Sequence, residues 1–169
     1  MTVNHLSIRT VVLAAALCAA LHVNCFAAVS PDQSAFQAVL SKLDAAEKRL
    51  DIDTWSKIMR AHCAKDVIFV LPGSPPLGLE AEIAAERALF ESVTAVPVDR
   101  EVVTSMTVRG SSADATAAYS IAIVQNGVAQ RQTDTVKYTL VRAQGSWLIQ
   151  SVDIRPAPPI KLGQPPRVT

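Results

Sequence analysis

Cysteine and histidine are scarce, three of each in 169 residues, and most of them crowd the start of the chain. Beyond residue 27 only Cys63 and His62 remain. A single thiol cannot close an intramolecular bridge, so the fold has to hold by its core even in an oxidising compartment. Two such residues also fall short of a Cys/His zinc site. His62 follows no Gly-x-Ser-x-Gly elbow and its neighbours read as a helix end, which argues for a structural histidine over a member of a catalytic triad. No cluster of lysine or arginine forms a stripe, so the electrostatic drive toward a phosphate backbone is missing and nucleic acid is not an expected partner. The chain lacks an apolar run of the roughly twenty residues that span a bilayer, because the longest, Val11–Leu21, stops at eleven.

That run belongs to a three-part pattern. A polar opening carries Arg9, the apolar stretch follows, and small residues close it at Cys25, Phe26 and Ala27. This is the layout of a secretory signal, with cleavage expected after Ala27, where Cys25 and Ala27 take the small-residue positions. A cut after Ala28 would put bulky Phe26 there. Neither Cys18 after Leu17 nor Cys25 after Asn24 suits a lipid-modified cysteine. A secreted or periplasmic protein is therefore expected, with no membrane association after cleavage. Without Arg9, the 16 basic residues fall level with the 15 acidic ones. What remains is the size of one domain.

Ser30-Pro31-Asp32 starts a helix, with Ser34 as a second possible cap, and Phe36, Val39, Leu40, Leu43, Ala46 and Leu50 recur at helical spacing. Asp53 or Thr54 caps a second, short helix with Trp55, Ile58 and Met59 as its stripe, ending near Ala64. Asp66–Leu71 is β-branched and stops at a Pro-Gly-Ser-Pro-Pro run, which marks a strand entering a rigid loop. After Gly78, Leu79, Ile83, Ala84, Leu89 and Phe90 define a third helix, with Glu80, Glu82, Glu86 and Arg87 on its wetter side. From Val98 the period becomes two. Val98, Val102, Met106 and Val108 share one face and Asp99, Glu101, Ser105, Thr107 and Arg109 the other. Strands over Ala113–Gln125, Val128–Arg142 and Ser146–Arg155 follow, the first two joined by Asn126-Gly127, a strong type I′ hairpin signal. Pro156, Pro158 and Pro159 end the pairing and leave residues 156–169 as a tail without fixed structure. Helices first and a meander of long strands after them make one α+β domain over residues 28–155.

Asp53 and Trp55 opening the second helix, the stretch AKDVIFVLPGSPPLGLEAEI from Ala64 to Ile83, and DTVKYTLVRAQGSWLIQSV from Asp134 to Val152 resemble the nuclear transport factor 2-like superfamily, in its SnoaL-like and ketosteroid-isomerase-like bacterial branch. The resemblance implies a cone in which a strongly curved sheet wraps three helices around an apolar pocket, without a cofactor or metal. It assigns Trp55, Phe69, Leu71, Met106, Tyr138, Trp147, Ile149 and Ser151 to the pocket wall. It also implies a homodimer through the outer sheet face, and Leu148, Val152 and Ile154, opposite Trp147 and Ile149 on the last strand, supply apolar surface for a partner to cover. Scattered surface apolars would look the same.

The Asn126-Gly127 turn sets Gln125 opposite Val128 and hence Tyr119 opposite Asp134, with Ile121 and Ile123 sharing the face of Val136, Tyr138 and Leu140. If a two-residue turn places Leu140 opposite Trp147, then Val136 faces Ser151 and Asp134 faces Asp153. Tyr119, Asp134, Ser151 and Asp153 then form one polar cluster. Two carboxylates in a partly apolar cavity raise each other's proton affinity, and a neutral acid beside a tyrosine polarises a carbonyl, as in ketosteroid isomerase. The alternative is a pair of solvated aspartates at the sheet rim, with Tyr119 a core residue. The isomerases' general-base aspartate aligns with Leu71 and their first-helix tyrosine falls near Glu47, so steroid-type isomerisation is not expected. An epoxide-hydrolase Asp-Arg-Asp set would have only Arg87 or Arg100 to draw on. Three functions stay open: binding of a small apolar molecule, a cofactor-independent isomerase, dehydratase or cyclase using Asp134 or Asp153 with Tyr119, and an accessory module that binds another exported protein.

Overall fold

A computed structural model describes residues 29–156. The leader read at residues 1–27, and the tail beyond Pro156, lie outside them. Three helices precede four long strands, with one short strand between the second and third helices: α1 Pro31–Glu47, α2 Ile52–His62, β1 Cys63–Val70, α3 Leu79–Ser92, β2 Ala95–Arg109, β3 Ser112–Gln125, β4 Val128–Ala143 and β5 Ser146–Pro156. The strands form one curved, open sheet in the order β1-β5-β4-β3-β2, with β1 parallel to β5 and every other pair antiparallel. Among the described residues no helix is long and apolar enough to cross a membrane.

Local chemistry accounts for the boundaries. Ser30 caps α1, its hydroxyl accepting from the Gln33 amide at 3.1 Å. Asp51, not Asp53 or Thr54, caps α2 by accepting from the Thr54 amide at 3.0 Å. An aspartate two or three positions earlier serves equally well as a cap, so spacing alone could not choose. The Asn126-Gly127 turn has φ of 52° and 75°, as a type I′ hairpin requires, and Gln144-Gly145 repeats it with 50° and 81°.

The core lies between the concave sheet face and the helices. Leu40 of α1, Leu140 of β4 and Ile149 of β5 are shut off from solvent, with Phe36 set edge-on to Tyr138 at 5.0 Å between ring centroids. On the free edge of the sheet, α1 replaces a missing strand. The Gln37 side chain accepts from the Val103 amide at 2.7 Å and donates to the Glu101 carbonyl at 2.8 Å, while Asp44 accepts from the Glu101 amide at 3.0 Å. Edge-strand groups that would otherwise recruit another chain are satisfied within this one.

Two β-bulges alter the facing expected from strict alternation. In β2, Val103 pairs with Ala117 and Ser105 with Thr116, leaving Thr104 as the extra residue. Upstream of it Asp99, Glu101 and Val103 face inward, and Val98 and Val102 face out, the reverse of the alternation read from Val98 to Val108. In β5, Leu140 pairs with Ile149 but Thr139 with Ser151, so Gln150 is extra. Val152 and Ile154 consequently turn into the core side, opposite Tyr138 and Val136. One slipped residue exchanges the two faces of all that follows.

Candidate functional site

The concave face encloses two adjoining hollows that share Tyr119 and Ile154 in their walls. The inner chamber, about 120 Å³, is walled by Trp55, Met59, Phe69, Val136, Tyr138, Ile149 and Val152, into which four glutamates project: Glu47, Glu82, Glu86 and Glu101. The outer cleft, about 310 Å³, lies between Leu71 and Pro72 after β1, Leu89 of α3, and Ile121, Ile123, Gln130, Gln132 and Asp134 on the β3–β4 hairpin.

Each acid arrives from a different place in the fold. Glu47 is the last residue of α1, and its Oε1 accepts from Trp55 Nε1 at 2.9 Å. The Tyr119 hydroxyl reaches its Oε2 at 3.4 Å. Glu82 and Glu86 are one turn apart on α3, and both turn inward although the sequence placed them on the wet side. The outer flank of α3 is held by other charges: Glu80 pairs with Arg60 at 2.7 Å and Arg87 with Asp53 at 3.5 Å. Asp99 and Glu101 come from the inward stretch of β2 ahead of the Thr104 bulge. Glu101 accepts from the Tyr138 hydroxyl at 2.7 Å.

Asp99 is completely buried, and neither of its oxygens has a donor. The Glu47 carboxyl lies within bonding reach, but two carboxylates cannot hydrogen-bond until one of them takes a proton. Burial, and then the Asp99 charge, push Glu47 well above the ordinary glutamate value, which favours one proton held between the two carboxyls. Burial raises Asp99 to about 6 even against that contact. It raises Glu101 to about 7 despite the Tyr138 bond, and Glu86, with the charges of Glu82 and Asp99 added, also to about 7. Tyr119 is raised by burial and by Glu47, so its hydroxyl stays a donor. Carboxyls raised toward neutrality by burial beside tyrosine donors, in a half-open cavity with aromatic walls, are an arrangement typical of functional sites.

The residues named from the sequence separate. Trp55, Phe69, Tyr138 and Ile149 line the inner chamber, and Leu71 lines the outer cleft. Tyr119 and Asp134 are direct cross-strand partners and both face the cleft. There Asp134 accepts from Gln132 Nε2 at 2.5 Å. Asp153 does not meet Asp134. It pairs with Lys137 on the outer sheet face and is held by Arg155 at 2.6 Å, which keeps its carboxyl below the usual range. Ser151, opposite Thr139, lies on that outer face too. The last turn is Gln144-Gly145 and the Gln150 bulge follows it, so the proposed four-residue cluster reduces to Tyr119 and Asp134. Trp147 does not reach the chamber. It closes the far end of α1, its indole donating to Asp32 at 2.9 Å with the Arg142 guanidinium stacked 4.4 Å above the ring. Met106, downstream of the Thr104 bulge, packs against the core and borders neither hollow. Cys63 is buried, and burial pushes its thiol up to about 12.

No protein-family model and no curated protein matches the sequence. Solved structures do match. A conserved protein from Planctomyces limnophilus superimposes with a TM-score of 0.65 at 18% identity, over 75% of this chain and 98% of its own. A ketosteroid isomerase-like protein from Erwinia carotovora atroseptica gives 0.61 at 17%, over 77% and 99%. A nuclear transport factor 2-like protein from Cytophaga hutchinsonii gives 0.60 at 12%, over 76% and 100%. The chain has the nuclear transport factor 2-like fold, three helices against a curved five-stranded mixed sheet.

Proposed function

We propose that the protein binds a small molecule with an apolar body and one polar end, the body lying in the outer cleft and the end reaching the acids of the inner chamber. The observation that carries this is the junction at Tyr119 and Ile154, where an isoleucine-lined cleft meets a half-open chamber holding four glutamates. A cavity of about 150 Å³ accommodates one benzene ring, so the inner chamber suits a head group and the adjoining cleft supplies room for the rest. Export through the leader at residues 1–27 belongs to the same proposal, as does pairing of two copies through the outer face. There Val141 and Leu148 are cross-strand partners facing away from Leu140 and Ile149. The binding test is methyl NMR with benzyl alcohol as probe. Shifts confined to Ile121, Ile149, Ile154 and Val152, abolished by Val136→Trp in a chain that still folds, support it. Shifts absent, or spread over the outer face, reject it.

A second reading is favoured by one observation, the placement of Glu101 in the chamber wall against the Tyr138 hydroxyl at 2.7 Å, where burial raises its carboxyl to about 7. A carboxyl matched to the working pH, next to the Tyr119 donor, can serve as a general acid or base in a cofactor-independent isomerisation or dehydration. In that case Glu101, with Glu47 and Tyr119, takes the place that Asp153 was expected to fill. Glu101→Gln would then abolish turnover of a bound carbonyl or alcohol substrate while leaving its binding within a few fold.

A further inference from the structure

We infer that residues 157–162 continue β5 as a strap, adding to an open stretch of the β4 edge and laying Ile160 and Leu162 across the mouth of the outer cleft. The strap is part of this chain and governs access to the cleft whatever guest the hollow takes.

The sheet leaves a notch of the right kind. β4 pairs with β3 from Val128 onward but with β5 only from Asp134, because β5 stops at Pro156. Val128 to Thr133 are all exposed, and among the described residues nothing pairs with them on the side away from β3. The Arg142 amide donates to the Ser111 carbonyl at 2.8 Å, which shows that the even-numbered residues of β4 turn their backbone groups toward β3. The β3–β4 ladder runs without a register shift, so Ala129, Arg131 and Thr133 turn theirs toward the empty side. Unpaired groups in such a row are a template for another strand.

The space beside the notch is apolar. Leu71, Leu89, Ile121, Ile123 and Ile154 stand half-buried around the outer cleft, and Arg131 borders it at the open edge. Val128, at the end of the hairpin, is 59% exposed.

The chain that follows Pro156 starts at this notch and carries the pattern that fills it. Asp134 pairs with Pro156 and Thr135 with Arg155. The same register sets Ala157 opposite Thr133, Pro159 opposite Arg131, Ile160 opposite Gln130, Lys161 opposite Ala129 and Leu162 opposite Val128. Val152 and Ile154 turn to the core side, so alternation brings Pro158, Ile160 and Leu162 to the cleft face and leaves Lys161 on the wet one. Gln130 is the cross-strand partner of Ile123, which puts Ile160 within reach of that isoleucine, and Leu162 arrives beside exposed Val128. The prolines fit this register. Pro156 and Pro158 fall opposite even-numbered residues of β4, where the ladder asks for no donor, and only Pro159 forgoes a bond, the one to the Arg131 carbonyl. Another chain could pair with the same edge, but residues 157–162 are tethered to it at Asp134, and a short tether gives an effective concentration on the order of millimolar. A guest whose apolar body lies in the cleft then enters as the strap lifts.

The test is amide hydrogen exchange and methyl NMR on the full chain. The amides of Ala129, Arg131 and Thr133 are expected to exchange roughly tenfold or more slowly in the parent than in Ile160→Asp, which sets a charge against the cleft. Lys161→Pro, which removes the donor aimed at the Ala129 carbonyl, should speed exchange chiefly at Ala129. The Val103 amide, held by Gln37 at the other edge of the sheet, should exchange alike in all three chains and so report an intact fold. In the parent, Ile160 and Ile123 methyls should show a direct contact. Fast exchange at all three β4 amides in the parent, or no contact between those methyls, overturns the strap. Protection that survives Ile160→Asp and grows with protein concentration assigns the edge to a second copy and overturns it as well. Neither readout uses a guest, so the strap stands or falls apart from the small-molecule reading.

Discussion

Tyr138 donates its hydroxyl to Glu101 Oε1 at 2.7 Å, and both side chains are buried. The bond is the main influence opposing the burial that raises Glu101 to about 7. Tyr138→Phe removes the donor and leaves a buried carboxylate exposed to its full desolvation cost, on the order of 1–3 kcal/mol when Glu101 is ionised. The loss should be larger at pH 8 than at pH 5, where Glu101 carries a proton. Urea unfolding at the two pH values measures it, and equal losses would mean that Glu101 ionises as an ordinary surface acid does.

Overall stability should fall as pH rises from 5 to 8. Asp99, Glu86 and Glu101 are raised to about 6, 7 and 7 from ordinary values of 3.8, 4.5 and 4.5, and Asp44, Glu47 and Glu82 are raised as well. In that window the folded chain binds more protons than the unfolded one. The contribution of these acids is therefore complete below about pH 4 and is lost as pH climbs through 7. His62, lowered by burial, works in the opposite sense but is one group against six. Asp51, Glu80 and Asp153 are lowered, and what they contribute disappears only in acid below the window. Asp99→Asn should raise stability at both pH values, and by on the order of 1 kcal/mol more at pH 8 than at pH 5. A flat profile from pH 5 to 8 in the parent chain would contradict the buried acid cluster.

The Gln150 bulge makes a sharp claim about which side of β5 is wet. Val152 is buried opposite Tyr138, whereas its neighbour Ser151 faces outward opposite Thr139. Val152→Asp should therefore cost several kcal/mol or prevent folding, as expected for an unpaired charge placed in a core. Ser151→Asp should stay within about 1 kcal/mol of the parent. Thermal melts of the two variants decide it, and the opposite ranking would restore unbroken alternation through the strand.

Gln37 should prove more important than a half-exposed glutamine usually is. Its two bonds to the edge of β2 involve the Val103 amide and the Glu101 carbonyl. Gln37→Ala should destabilise by about 1–2 kcal/mol and accelerate exchange of the Val103 amide hydrogen. Unchanged exchange at Val103 would show that α1 does not hold that edge.

The order and nature of the elements were legible in the sequence because each carries a local signal. Helical spacing from Phe36 to Leu43, the Pro-Gly run after β1 and the Asn126-Gly127 turn are all short-range features. The turn even fixed the pairing of Tyr119 with Asp134 across six residues. The candidate site was far less legible, and two extra residues account for most of the difference. Thr104 reverses the faces of β2, so Asp99 and Glu101 were grouped with Ser105, Thr107 and Arg109 although both turn inward, Glu101 into the acid chamber itself. Gln150 reverses β5, so Val152 and Ile154 read as an outer patch and Asp153 as a site acid. A bulge leaves no mark on a period-two count, because both residues beside it belong to ordinary strand types. Glu82 and Glu86 were lost differently: Ile83 and Phe90 define the buried stripe of α3, but the hollow extends that stripe's flank into a partly closed space.

The most direct measurement is a carboxyl carbon NMR titration of the folded chain, with Glu101, Asp99 and Glu47 assigned through Glu101→Gln, Asp99→Asn and Glu47→Gln. The account predicts that Glu101 is half-protonated near pH 7 and Asp99 near pH 6, with Glu47 raised well above the ordinary glutamate range. Midpoints close to 4 for all three would contradict it, since acids with ordinary values are solvated acids and the chamber they are said to share would not exist.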